Sequence, residues 1–236
     1  NNGKTSISIK DSKQKLDLQV KGDVTFTDDE KGIHNLSRDG LVSYKKGGNK
    51  LKITRESDGS LLFVINGTKK SVPDAKDETL IAECVQIMIN AGINGKERAQ
   101  KIYSQSGLPG VLKELNRFES DYTKYTYLNA LSSKGLMDND EAISLLNRID
   151  SHLESDYYKA ELLMKMQQDY LKNQAVSSAY LNAVKGIKSD YYKTEVIKKS
   201  LTGTRFRMCS LRNFVKNYIR PTVGSHGRAT QPAGAS

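Results

Sequence analysis

A serine, an aspartate, a tyrosine and a lysine recur in one fixed order, at Ser120-Asp121-Tyr122-x-Lys124, Ser155-Asp156-Tyr157-x-Lys159 and Ser189-Asp190-Tyr191-x-Lys193. A carboxylate next to a phenol, repeated along a stack of helices, could bind a ligand as a continuous Tyr/Asp face. Each polar letter also has a local use. Serine is a favoured N-cap, because its hydroxyl accepts a backbone N–H that the first helical turn leaves unpaired, worth ~1 kcal/mol. The aspartate then falls in the first turn, where the helix dipole favours negative charge by ~0.3–1 kcal/mol. The lysine lies three residues on, within reach of a weak surface pair. The tyrosine has no such local account. Tyr157 lies well round its helix from the stripe Leu162, Leu163, Met166 and Tyr170, which predicts that it packs on the neighbouring helix pair. We read the signature mainly as helix punctuation, with Tyr122, Tyr157 and Tyr191 forming a ladder and standing as the candidate binding residues of the repeat.

Other chemistry is sparse. His34, His152 and His226 stand in three different segments, none beside a second metal-ligand type at helical spacing. The sequence contains no HExxH, GxSxG, GxxxxGK[ST] or paired CxxC motif. His152 reads as a residue of a helix C-terminal turn. "MDNDEA" at Met137 to Ala142 opens like a calcium loop but lacks the third acidic position, the glycine and the closing glutamate, so N-capping by Asp138 or Asp140 is the better account. Cys84 and Cys209 lie far apart and support neither a disulfide framework nor a metal knuckle. We therefore expect no catalytic residues, no metal and no cofactor. A pocket joining the sheet to the first helices with converging carboxylates would argue the other way.

The net charge of +10 is unevenly spread. Residues 1–72 carry 14 basic and 9 acidic groups, residues 73–200 carry 17 and 18, and residues 201–236 carry 6 and 0. Lys45, Lys46, Lys50, Lys52, Lys69 and Lys70 could gather on the wet face and hairpins of a sheet and attract phosphate or acidic polymer. Lys50 and Lys52 share a face by their spacing. Aromatic interleaving of the kind that stacks bases is absent there, and lysine also guards sheet edges against aggregation. Nucleic acid is the disfavoured alternative.

The elements that must position these residues fall in three segments. In residues 1–72, turn dipeptides recur at Asp39-Gly40, Gly47-Gly48, Asp58-Gly59 and Asn66-Gly67, separated by 8, 11 and 8 residues, which is hairpin spacing. "NKLKITR" alternates apolar and polar residues, and "SLLFVI", apolar on both faces, is the candidate central strand. Six to eight short strands in a meander are predicted. After Pro73 the periodicity changes: Leu80, Ile81, Cys84, Val85 and Met88 mark a core-facing helix that Gly92 ends. A second helix runs to Gly107 and a third covers "LPGVLKELNRF". Ser120, Ser155 and Ser189 are 35 and 34 residues apart, and Leu128 matches Leu163 and Ile197. Such a period marks stacked helix hairpins. The expectation is an α+β chain: an antiparallel β domain over 1–72, a helical-repeat domain resembling a short α-solenoid over 73–200, and a basic tail over 201–236 that is either an interaction arm or foreign sequence. Its final residues read as disordered by composition. No apolar run reaches the ~18 residues needed to cross a bilayer.

"GDVTFTDDEKGIHNLSRDG", the strand turns and "ERAQKIYSQSGLPGVLKELNRFESDYTKYTYLNAL" together resemble a group of uncharacterised bacterial envelope proteins. In these a β-rich segment precedes helical repeats marked Ile-x-Ser-Asp-Tyr-x-Lys, and some are fused to antirepressor-type membrane metallopeptidases. The likeness covers about residues 20–200 and includes no catalytic motif of that peptidase. It implies an extracytoplasmic, non-catalytic sensing or scaffolding module that binds a protein partner. The alternative is a polyanion binder using the basic sheet face, with Lys50 and Lys52, together with the tail.

Overall fold

The computed structural model describes residues 6–11, 15–132, 136–166 and 170–203. Eight strands come first: β1 (Ser6–Asp11), β2 (Leu16–Lys21), β3 (Val24–Phe26), β4 (Ile33–Leu36), β5 (Leu41–Lys46), β6 (Asn49–Arg55), β7 (Leu61–Ile65) and β8 (Thr68–Lys70). Six form one sheet in the order β1-β2-β5-β6-β7-β8, while β3 and β4 make a separate hairpin inserted between β2 and β5. All pairings are antiparallel, as the turn spacing predicts. The β7–β8 turn places both Asn66 (φ 51°) and Gly67 (φ 92°) in the left-handed region that Asn-Gly tolerates. Alternation holds in β6, where Leu51 and Ile53 are buried and Lys50 and Lys52 exposed. "SLLFVI" is not central, however. β7 lies next to the short edge strand β8, and β5 and β6 occupy the middle. Its outward Val64 stands between Lys52 and Lys69 across the sheet, so the stems of two lysines flank an apolar side chain that periodicity assigns to a second core.

The helices follow without a break in packing: α1 (Ala75–Asn90), α2 (Gly95–Leu115), α3 (Asp121–Leu131), α4 (Asn139–Leu146), α5 (Ile149–His152), α6 (Asp156–Lys165), a 3₁₀ turn (Tyr170–Lys172), α7 (Gln174–Gly186) and α8 (Asp190–Gly203). Asp74 caps α1 in a reciprocal box with Asp77, and Lys70 at the end of the sheet reaches both carboxylates, at 2.8 and 2.5 Å. Helix α1 turns Ile81, Cys84, Val85, Met88 and Ile89 inward, and Lys46 of β5 pairs with its Glu83 at 2.6 Å. Gly107 interrupts α2 with φ 61° and ψ −166°, the break that the sequence places there. The buried residues of sheet and helices belong to one continuous cluster running from Leu16 to Val196. In the repeats, the first helices α3, α6 and α8 pack in series, while the second helices α4 and α7 pack on each other and α7 touches α6 and α8. Of the basic tail expected over 201–236, residues 204–236 lie outside the described residues, Cys209 and His226 among them.

Candidate functional site

The aspartate of the signature does more than sit on a helix dipole. Glu154 N–H and Ser155 N–H both donate to Asp121 Oδ2, at 2.9 and 2.5 Å. One unit later, Lys188 N–H and Ser189 N–H both donate to Asp156 Oδ2, at 3.0 and 2.7 Å. Each carboxylate thus closes over the two backbone donors that open the next repeat, and charge-assisted bonds of this kind are about twice as strong as neutral ones. Burial works to raise the pKa of Asp156, but the Ser189 and Lys188 N–H groups and nearby Lys159 outweigh it and hold the carboxyl below its usual range. The serine is less engaged than its type suggests. Ser120 accepts weakly from Thr123 N–H at 3.4 Å, and the Ser155 side chain makes no capping bond. The lysine also departs from the local pattern. Lys124 and Lys193 stand 4.0 and 3.7 Å from the aspartates three residues back, whereas Lys159 is buried and pairs with Asp150 of the preceding helix at 2.9 Å.

The tyrosines recur at equivalent, outward positions. Tyr122, Tyr157 and Tyr191 are 48%, 45% and 68% exposed, and with Val72 they are the exposed large hydrophobic residues among the described ones. They do not touch one another directly; the second tyrosine of each later signature forms the rung. Tyr158 lies 6.2 Å from Tyr122, 5.4 Å from Tyr125 and 5.0 Å from Tyr157, ring centre to ring centre. Tyr192 lies 5.9 Å from Tyr157 and 5.2 Å from Tyr191. Edge-on and tilted contacts at these separations are the favourable aromatic geometries. Lys165 stands 5.7 Å over the ring of Tyr125. The result is an unbroken row of six tyrosines across three helices.

The sheet lysines divide into two groups. Lys46 and Lys70 are tied to α1, whereas Lys45, Lys50, Lys52 and Lys69 are exposed on the wet face. Lys45 faces Lys50 directly across β5 and β6.

Two clefts lie where the β3–β4 hairpin meets the helices. The larger, about 520 Å³, runs between the hairpin, β7 and α1, with Phe63 and Ile81 at its base and Asp29 and Glu78 among its walls. The smaller, about 270 Å³, is lined by Asp28, Glu30, Glu97, Arg98 and Lys101. Carboxylates do approach these clefts, and Asp28, Asp29 and Glu30 among them are engaged by neighbouring donors. Thr27 Oγ1 and Lys31 N–H donate to Asp29 Oδ1 at 2.6 and 3.1 Å, and Lys101 reaches Asp28 at 2.6 Å. Those donors hold both carboxyls below their usual range, so neither is poised as a proton donor near neutrality. Glu30 belongs to a network around Arg98, which is 7% exposed. Arg98 ion-pairs with Glu30, donates from Nε to Tyr127 Oη at 2.6 Å and meets Glu114 at 3.0 Å, while Arg117 bonds Glu114 at 2.7 Å. Among the described residues no group of three or more His, Cys, Asp or Glu is placed to hold a metal ion. Burial, with Lys124 and Arg148 nearby, pushes the pKa of His152 down, and the buried Cys84 thiol is pushed up to about 12. Asp138 caps α4 in a reciprocal box with Glu141, the helix-capping account of "MDNDEA".

The aspartate clamps and the Arg98 network are the parts that motif reading passes over. The first has a signal in the sequence, since Asp121 and Asp156 each precede the next apolar-x-Ser step by a near-constant distance. The second has only a lone arginine on the apolar side of a helix. No protein-family model, curated protein or solved structure matches this chain. No helix of the described residues is long and apolar enough to cross a membrane.

Proposed function

We propose that this chain is a non-catalytic scaffolding or sensing module of the bacterial envelope, acting outside the cytoplasm, that holds a protein partner along the surface of its helical repeats. The observation that carries the reading is the tyrosine row, in which Tyr122, Tyr157 and Tyr191 stand exposed at the same place in three successive units. Tyrosine gives a large, stiff contact surface with a polar tip at small entropic cost, and it is enriched at interface centres. The envelope location rests on the sequence resemblance alone. Changing Tyr122, Tyr157 and Tyr191 together to alanine is expected to abolish, by tenfold or more, capture of partners from envelope extracts by the full chain. The thermal midpoint should move only a few degrees, because the rings are half outside the core. Unchanged capture by the triple variant, with loss in a variant carrying alanine at Lys45, Lys50, Lys52 and Lys69, would reverse the assignment.

That second outcome is a polyanion reading, favoured by one feature. Like charges directly opposite on a sheet are destabilising, and the facing Lys45 and Lys50 would gain from a bound anion. Under this reading, affinity for single-stranded DNA falls roughly 50-fold between 50 and 200 mM salt if four phosphates are neutralised, at a log–log slope of about −0.7 per contact. A flat salt response would exclude it.

A further inference from the structure

The clamp that links one unit to the next is closed twice and open once. Asp121 and Asp156 hold the backbone donors at the start of the following unit, and the Asp121 side chain is 15% exposed. The third copy, Asp190, is 98% exposed and among the described residues meets only Lys193, at 3.7 Å. Two further positions of α8 change in the same direction, although Val196 stays buried. Thr194 is exposed where Tyr125 and Ala160 are buried, and Ile197 is partly exposed where Leu128 and Leu163 are at 0% and 1%. Tyr191 is the most exposed of the three outer rings, because no later tyrosine lies against it among the described residues.

We propose that this end of the stack is a docking edge for one more helix hairpin of the same Ser-Asp-Tyr kind, supplied by another protein chain. The occupant is defined by what the edge lacks. It needs two successive backbone N–H groups at an apolar-x-Ser helix start for the Asp190 carboxylate. It also needs an aromatic side chain just inside that helix to form the next rung on Tyr191, and an apolar stripe to cover Ile197. The argument is continuity with an interface that this chain builds twice in itself. A second copy of the chain does not offer a free hairpin of this kind, since the donors at Ser155 and Ser189 are already clamped and α3, which opens the first unit, is packed against α2. Residues 204–236 contain no acidic residue and no Ser-Asp-Tyr step, so they do not carry the signature either. The inference rests on the interaction-module reading but uses the end of the stack, sharing only Tyr191 with the tyrosine side, so each can fail alone.

The test is titration of the isotope-labelled full chain with a synthetic peptide copying residues 151–187, followed by amide shifts in α8. Saturable shifts are expected at peptide concentrations of roughly 10⁻⁵–10⁻³ M, with the affinity at least tenfold weaker in Asp190→Ala and unchanged in Lys69→Ala. No saturable shift, or equal binding by Asp190→Ala, would overturn the proposal. So would Asp190→Ala shifting amides of residues 204–236 without peptide, since the chain's own tail would then fill the edge. Peptide binding that survives a double change of Tyr122 and Tyr157 to alanine, with Tyr191 kept, but not Asp190→Ala would separate this edge from the side face.

Discussion

Replacing Asp156 by alanine is expected to lower the unfolding free energy by about 2–3 kcal/mol, while the same change at Asp190 should cost less than about 0.5 kcal/mol. The two residues have the same type, the same signature and the same place in a first turn. They differ only in what they hold. Asp156→Ala leaves the Lys188 and Ser189 N–H groups, now at 3.0 and 2.7 Å from a carboxylate, facing a gap. Asp121→Ala should behave like Asp156→Ala for the same reason. Asp156→Asn should fall between, near 1 kcal/mol: an amide oxygen can still accept, but charge is lost and an NH₂ group enters the position of Oδ1, which is buried without a partner. Urea midpoints at constant m-value would measure all four. An Asp190 effect as large as that of Asp156 would show that first-turn dipole effects, rather than the clamps, carry the energy.

The same carboxylate sets a pH dependence whose sign is fixed. The folded-state pKa of Asp156 lies below its unfolded value, despite burial, because the clamped N–H groups favour the charged form. Its contribution is therefore complete above the unfolded value of about 3.9 and is lost as pH falls through the lower, folded value. Stability measured from pH 5 downward should fall more steeply in the wild type than in Asp156→Asn, and the two curves should converge in acid. Parallel curves would count against a charged clamp.

How far the fold was legible depended on whether the deciding interaction lay within one element. The strands between Gly-containing turns, the α1 stripe, the break at Gly107 and the 34–35-residue period are all local patterns, and the chain obeys them. That Tyr157 lies off the apolar stripe followed from helix geometry, whereas the same geometry predicted packing on the neighbouring helix pair and did not show that the ring is half exposed. The role of aspartate did not follow from it, because its partners lie 32 to 34 positions ahead. A reading confined to one helix assigns it to the nearest dipole. Lys159 misled for the same reason, its partner Asp150 being on another helix. "SLLFVI" looked central because apolar residues on both faces normally mean cover on both sides, and lysine stems across the strand are invisible to periodicity.

Arg98→Met should be the most damaging substitution of a polar residue in the chain, at about 3–5 kcal/mol, because it removes the cation and leaves its acidic partners half-enclosed. Three groups converge on the guanidinium: Glu30 from the β3–β4 hairpin, Glu114 from the end of α2 and Tyr127 from α3. Arg117, exposed on 44% of its side chain, reaches Glu114 at 2.7 Å but approaches Glu30 only to 3.6 Å, so it cannot take over. Gln86 of α1 adds a bond to Glu30 O at 3.0 Å and Lys101 of α2 pairs with the exposed Asp28 at 2.6 Å, so once Arg98 is gone the hairpin tip keeps one neutral contact and weak surface ion pairs. Local opening should therefore come before global unfolding. Amide exchange at Thr27 to Lys31 is expected to speed up at least tenfold in Arg98→Met under conditions where β5 and β6 remain protected. Tyr127→Phe, which removes one bond but no charge, should cost about 1 kcal/mol and leave hairpin exchange nearly unchanged. Adding Glu30→Gln and Glu114→Gln to Arg98→Met should recover part of the loss, since the orphaned charges are what make the single change severe. If the single substitution costs under 1 kcal/mol and hairpin exchange is unaltered, the network is not what fastens the hairpin to the helices.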